Sequence, residues 1–218
     1  MKEPSLIFLN SMSDFAWEQI PDAYRDQIVD VIEATPQHEY QVLTKRPKEL
    51  LRYSRRRKLP QNFWAGVSIE NQDYAWRADI LREIDVELRF LSLEPLLGPL
   101  SLDYEGIHWA IVGGESGKHL ADPKYADRAL VEKVDGKWQP RADRIDWVRQ
   151  IRDDCRAANV PFFFKQWGGV RPGSCGKTLD GRTWKEFPRL PRTAISATVD
   201  ESTKANDSVP ADTSTGRR

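Results

Sequence analysis

Cysteine is nearly absent: the 218 residues hold two, Cys155 and Cys175. Two thiols cannot make a disulfide framework or, by themselves, a four-ligand metal site, and they fit a reduced, cytoplasmic protein. Histidine is almost as sparse. His38, His108 and His119 share no metal-ligand spacing, so no metal site is expected. Net charge is absent as well, with 33 basic residues against 33 acidic ones, and no global field draws the chain to nucleic acid. No apolar run approaches the roughly 18 residues of a membrane span, and the opening Met-Lys-Glu-Pro lacks the layout of a secretion signal. A Gly-x-Ser-x-Gly nucleophile elbow is missing too. From Pro191 to Arg218 there is no aromatic residue, and Ser, Thr, Asp and Ala dominate. Such a segment cannot bury enough apolar surface to offset its ordering entropy, so residues 191–218 read as a disordered tail.

What remains is an alternation of strand-length apolar blocks with helical stretches. The strands read as Leu6–Leu9, Tyr40–Thr44, Trp64–Ile69, Leu88–Leu93, Ile107–Val112 and Pro161–Lys165. The helices between them read as Pro21–Thr35, Pro47–Lys58, Gln72–Ile84 and Ala142–Ala158, with Pro21 near one start and Pro36 just past one end. On the last helix Ile145, Val148, Ile151 and Cys155 form one stripe, which makes Cys155 a core residue. Near-continuous apolar strands separated by helices indicate an α/β fold with a parallel sheet buried on both faces. A partial (β/α) barrel is favoured because nearly every strand ends in polar residues, as expected where the ends surround a common mouth. A doubly wound sheet is the alternative. Residues 1–190 form one domain, interrupted at 118–140 by a charged excursion that reads as a surface loop or small lid.

In parallel α/β folds ligands sit at the carboxyl ends of strands. Those ends carry Asn10 to Asp14, Thr44-Lys45-Arg46, Ser68-Ile69-Glu70-Asn71, Ser92-Leu93-Glu94, Gly113-Gly114-Glu115-Ser116-Gly117 and Lys165-Gln166-Trp167. The candidate ligand-binding set is therefore Thr44, Lys45, Ser68, Glu70, Asn71, Ser92, Glu94, Gly113, Gly114, Glu115, Lys165 and Gln166. Three successive strands deliver Glu70, Glu94 and Glu115. Such carboxylates can bind a zwitterion, hold a divalent cation or do acid/base work. Each can equally cap a helix or pair with a neighbouring lysine. The glycine turn lets a backbone approach a ligand, yet it has neither the Rossmann nor the P-loop spacing. Trp167 is placed where it can line the mouth as a stacking surface. The run Arg52, Arg55, Arg56, Arg57 and Lys58 reads as a solvated helix end, with phosphate contact as the alternative.

The strand-end phrases also form a familiar set. Phe8-Leu9-Asn10-Ser11-Met12-Ser13-Asp14, Gln41-Val42-Leu43-Thr44-Lys45-Arg46-Pro47, Gly66-Val67-Ser68-Ile69-Glu70-Asn71, Arg89 to Gly98, Val112 to Gly117 and Val160 to Gly168 occur in one order. In this the chain resembles the phage Gp thirty-seven/Gp sixty-eight family, three-Cys-motif proteins, from about residue 7 to residue 188. The resemblance implies a TIM-like barrel of the radical-SAM type, with an iron–sulfur cluster, S-adenosylmethionine and a nucleotide or nucleic-acid substrate. It implies that Gly113, Gly114 and Glu115 contact S-adenosylmethionine. It also implies a first strand and three clustered cysteines upstream of Leu6. This sequence has no cysteine before Cys155, so the resemblance carries the expectation of a truncated or non-catalytic chain. Cluster-free alternatives are a ligand-binding or scaffold barrel that engages a partner protein, and an acid/base enzyme using Glu70, Glu94 and Glu115.

Overall fold

A computed structural model describes residues 3–171 and 173–189. The 191–218 segment read as a disordered tail lies outside the described residues. Six strands, β1 (Leu6–Leu9), β2 (Glu39–Thr44), β3 (Phe63–Ser68), β4 (Leu88–Leu93), β5 (Trp109–Gly113) and β8 (Phe162–Gln166), form one sheet in the order β1-β2-β3-β4-β5-β8. Every pairing in it is parallel. The order never reverses, so the switch point of a doubly wound sheet is missing, and the sheet curls into a half-barrel.

The connecting helices are α1 (Asp22–Ala34), α2 (Pro47–Arg56), α3 (Trp76–Arg82) and α5 (Ile145–Ala157). The helix expected from Gln72 is split. The Asn71 side chain accepts the Asp73 amide at 3.1 Å, a single 3-10 turn covers Gln72–Tyr74, and α3 begins only at Trp76. The excursion after β5 is more ordered than a loop. It holds a short helix α4 (Pro123–Ala126) and an antiparallel hairpin, β6 (Val131–Val134) with β7 (Lys137–Pro140). A two-residue hairpin, β9 (Thr178–Leu179) and β10 (Arg182–Thr183), follows β8.

Strand alternation separates two faces. Ile7, Val42, Ala65, Leu91, Val112 and Phe164 face the helices and join Val29, Ile32, Leu50, Leu81, Val148, Ile151 and Cys155 in the main core. The opposite, inner face carries Trp64, Leu88, Phe90 and Trp109, all buried. Phe90 lies across Gly66, where an added Cβ would meet its ring at 2.2 Å, so a large residue fills the space left by a small one. Phe187 extends this cluster onto Trp109 and Phe163, with ring centroids 5.1 and 5.5 Å apart. The inner face is thus plugged with aromatics below and turns polar at Ser68 and Ser92 above. The chain after β10 also covers the outer edge of β8, through Trp184 and Glu186 backbone bonds to Phe164 and Phe162. Among the described residues β1 has a strand on one side only. No helix among them is long and apolar enough to cross a membrane.

Three arginines at the end of α2 are spent on α1, and Arg55 pairs with Glu83 past α3 at 2.9 Å. Arg52 bonds Asp22 at 2.6 Å, Arg56 pairs with Asp26, and Arg57 reaches Asp30 at 2.7 Å and Glu33 at 3.0 Å. The four arginines of the run are therefore committed to carboxylates within the fold. Hydrogen bonds from Arg52, then Arg25, hold the Asp22 carboxyl down to about 2, against the opposing effect of partial burial. A carboxyl depressed in the folded state contributes stability above its unfolded pKa, and that contribution is lost as the pH falls through the folded value. The melting temperature is expected to drop between about pH 4 and pH 2, and Asp22→Asn should remove part of that slope while lowering stability at pH 7. Thermal melts across that range check it.

Candidate functional site

The carboxyl ends of the strands carry a set of ion pairs, each built on a strand-end carboxylate. Glu70, just past β3, is buried and pairs with Lys45 from the end of β2. Its other oxygen accepts a 2.9 Å bond from Arg77, the second residue of α3, which also donates to the Ser68 carbonyl at 2.7 Å. Glu94, just past β4, accepts a 3.0 Å bond from Lys165 of β8. One strand, β5, separates these residues in the sheet, and what lets them meet is its Gly113. A Cβ there would lie 3.0 Å from the Glu94 carboxyl carbon, so the carboxylate occupies the space a side chain would take. The segment after Glu94 is pinned in turn, as Leu96 donates to the Gly113 carbonyl at 2.9 Å and Leu97 to the Glu70 carbonyl at 2.8 Å.

Glu115 is turned elsewhere. Arg128 donates to it at 2.9 Å and the His119 ring lies 3.1 Å away, both from the excursion. Burial alone would raise the Glu115 carboxyl, but Arg128 and His119 outweigh it and the net shift is downward. Gly114 is explained by the sheet itself: a Cβ there would stand 1.9 Å from the Trp167 carbonyl oxygen, so β5 and β8 touch backbone to backbone at their ends. Gln166 donates to Ser116 at 2.9 Å across the same seam. Trp167 is buried, with its indole N–H on the Thr178 carbonyl at 2.8 Å, so it offers no stacking surface to the mouth.

Thr44 belongs to the helix-side face rather than the inner one. Its hydroxyl donates to Asp14 at 2.7 Å, and Asp14 also accepts the Lys45 amide at 3.1 Å and Arg46 at 3.0 Å. Asp14 thereby ties the loop after β1 to the end of β2. Between them lies a cleft of about 580 Å³, lined by Asn10, Trp17, Thr44, Lys45, Arg46 and Ser68 among others. Asn71 caps the turn before α3, while Ser68 and Ser92 are buried on the inner face at paired positions. The structure thus brings Lys45, Ser68, Glu70, Ser92, Glu94, Gly113 and Lys165 to one end of the sheet. It draws Glu115 toward the excursion. The sequence reading missed Asp14 and Arg77 as organisers. Asp14 stood in a quoted strand-end phrase, but Arg77 lay inside a helix with no local signal.

The residues present do not fit an iron–sulfur cluster, which needs three thiolates close together. Cys155 is buried on α5 with its thiol pushed up to about 12 by desolvation, and Cys175 lies in the loop after β8 with its thiol also raised by burial. Among the described residues no three His, Cys, Asp or Glu side chains are grouped to hold a metal ion. A search of curated proteins and one of solved structures found no match to the chain. One family model does match, over residues 1–131 and 135–188, which takes in the whole half-barrel and both strand-end ion pairs, and on that match the chain belongs to the family of proteins of unknown function designated DUF5131.

Proposed function

We propose that the protein is a ligand-binding half-barrel whose mouth takes a small zwitterionic molecule. The observation that carries this is the pair Lys165–Glu94 beside Lys45–Glu70. Both lysine side chains are half exposed, at 53% and 54%, while their carboxylate partners are 20% and 8% exposed. Each pair therefore presents a cation to solvent above an anion fixed at a strand end. A ligand carboxylate bonds the lysine, and a ligand ammonium bonds the carboxylate, without leaving either charge unpaired. A lone anion or cation would satisfy one half of each pair only.

The amino-acid end of S-adenosylmethionine has this chemistry, which is where the family resemblance and the mouth agree. The radical-SAM-type barrel is what that resemblance implies, and the described residues supply no ligand set for its cluster. The resemblance adds a nucleotide or nucleic-acid substrate, which nothing in the mouth itself selects. As an acid/base residue Glu115 is poorly placed: its lowered pKa and its Arg128 clamp suit a carboxylate that stays ionised.

Calorimetric titration with methionine and with S-adenosylmethionine tests the proposal. Binding is expected for at least one of them, with a loss of about tenfold or more in Glu94→Gln and in Lys165→Met, the size of a lost charge-assisted bond. Thermal melts of both variants separate this loss from unfolding. Unchanged affinity in both, or no binding of either zwitterion by the wild type, overturns it.

A further inference from the structure

A different feature of the same end of the sheet points to a second ligand. Among the large apolar side chains exposed to solvent, a group lies at or beside the carboxyl rim of β1 to β3: Phe8, Met12, Trp17, Tyr74 and Trp76. Trp17, in the loop after β1, is 44% exposed; Tyr74, in the turn before α3, and Trp76, its first residue, are 39% and 41% exposed. Phe8 and Met12 are exposed beside the 580 Å³ cleft that Trp17 also lines. Cations interleave with these rings. Lys48 Nζ stands 5.2 Å from the Trp76 ring centroid, and the Arg77 guanidinium 4.1 Å from that of Tyr74. Lys45 and Arg46 line the cleft itself.

Exposed aromatic faces alternating with cations are the surface that unpaired nucleobases recognise, because every base has a stackable face and every linkage a phosphate. The charge on this rim limits what can bind. Arg46 is matched by Asp14 and Glu18, and Arg77 and Lys45 by Glu70. Lys48 has no carboxylate partner among the described residues. A long polyanion needs a basic track, and the rim has none. A short unpaired stretch held mainly by stacking fits. A duplex does not, since its base faces are covered.

We infer that the rim formed by Trp17, Tyr74 and Trp76 binds a short single-stranded segment of nucleic acid, the bases stacking on these rings and a phosphate meeting Lys48. This goes beyond the proposed mouth ligand and does not require it. It supplies the substrate class that the mouth leaves open.

The test is fluorescence anisotropy with a labelled single-stranded ten-nucleotide probe, mixed in sequence, and with the same strand annealed to its complement. The single strand is expected to bind at least about tenfold more tightly than the duplex. Trp76→Ala and Tyr74→Ala should each weaken it about tenfold, with Trp76→Phe restoring most of the loss, as stacking requires. The salt dependence should be shallow, corresponding to about one or two phosphates. Equal binding of strand and duplex overturns the inference, as does affinity unchanged in both alanine variants. So does an absence of binding, and a dimer that Trp17→Ala dissolves would then assign these rings to a second copy of the chain. Because the rings are half exposed, the variants should melt with the wild type. Glu94→Gln separates the two sites: oligonucleotide binding that survives it, with no zwitterion binding in the wild type, removes the mouth reading and leaves the rim intact.

Discussion

Gly114→Ala is expected to destabilise the protein by about 3 kcal/mol, lowering the melting temperature by about 10 °C. The added Cβ would stand 1.9 Å from the Trp167 carbonyl oxygen and 2.6 Å from its carbonyl carbon. These are backbone atoms, so no rotamer change relieves the clash, and the ends of β5 and β8 must separate. Three bonds across that seam are then at risk: Gly114 N–H to the Gln166 carbonyl at 2.9 Å, Gly169 N–H to the Glu115 carbonyl at 3.0 Å and Gly117 N–H to the Gly169 carbonyl at 3.0 Å. The same movement carries Lys165 away from Glu94, so loss of the mouth ligand should accompany loss of stability. Gly136→Ala is the control. Gly136 has φ +80° in the turn between β6 and β7 and nothing within 4 Å of an added Cβ, so that change strains one residue at a cost of about 1 kcal/mol. Equal melting temperatures for the two variants would show that the seam yields without cost.

The half-barrel is legible because its central strands, β2 to β5, are buried on both faces and so read as unbroken apolar runs; the observed strand ends differ from the expected ones by at most two residues. The β6–β7 hairpin was not read, although Asp135-Gly136 between Val-Glu-Lys-Val and Lys-Trp-Gln is a strong turn signal. Its mixed charge reflects an exposed hairpin rather than an irregular loop. Side-chain pairing was the least legible part. Arg52 and Asp22 are 30 positions apart, and Lys165 and Glu94 are 71 apart, so neither pairing has a local signature. Strand parity by itself separates Thr44 from the inner face. Counting from Val42, Thr44 falls on the helix side, which is where its hydroxyl meets Asp14. Gly113 and Gly114 were read together as a ligand-facing turn. The structure gives them separate tasks, one making room for a carboxylate and the other for a neighbouring backbone.

Arg25→Met is expected to destabilise the protein by about 2–3 kcal/mol, the cost of a buried acceptor left unsatisfied and a buried ion-pair network broken. Arg25 sits on α1 with 1% exposure, and its guanidinium is fully engaged. It donates to the Phe15 carbonyl at 3.0 Å, the Trp17 carbonyl at 2.7 Å and Asp22 at 2.6 Å, and it pairs with Glu49 of α2 at 3.0 Å. Methionine fills much of the same volume but leaves the Phe15 carbonyl without its donor and takes one donor each from the Trp17 carbonyl, which keeps the Ile20 amide, and from Asp22 and Glu49, which keep Arg52; an unsatisfied buried acceptor is costly. Lysine should rescue little, since one ammonium cannot reach four acceptors spread over a planar fork. The loop it holds is the one that carries Asp14 and Trp17, so the damage should extend to the cleft. Hydrogen exchange is expected to quicken at residues 10–18 in Arg25→Met under conditions where β3 and β4 remain protected. A uniform rise in exchange over the whole chain would mean that Arg25 supports global stability alone. A local rise would tie the α1–α2 layer to the geometry of the rim, and oligonucleotide binding in the same variant should fall with it.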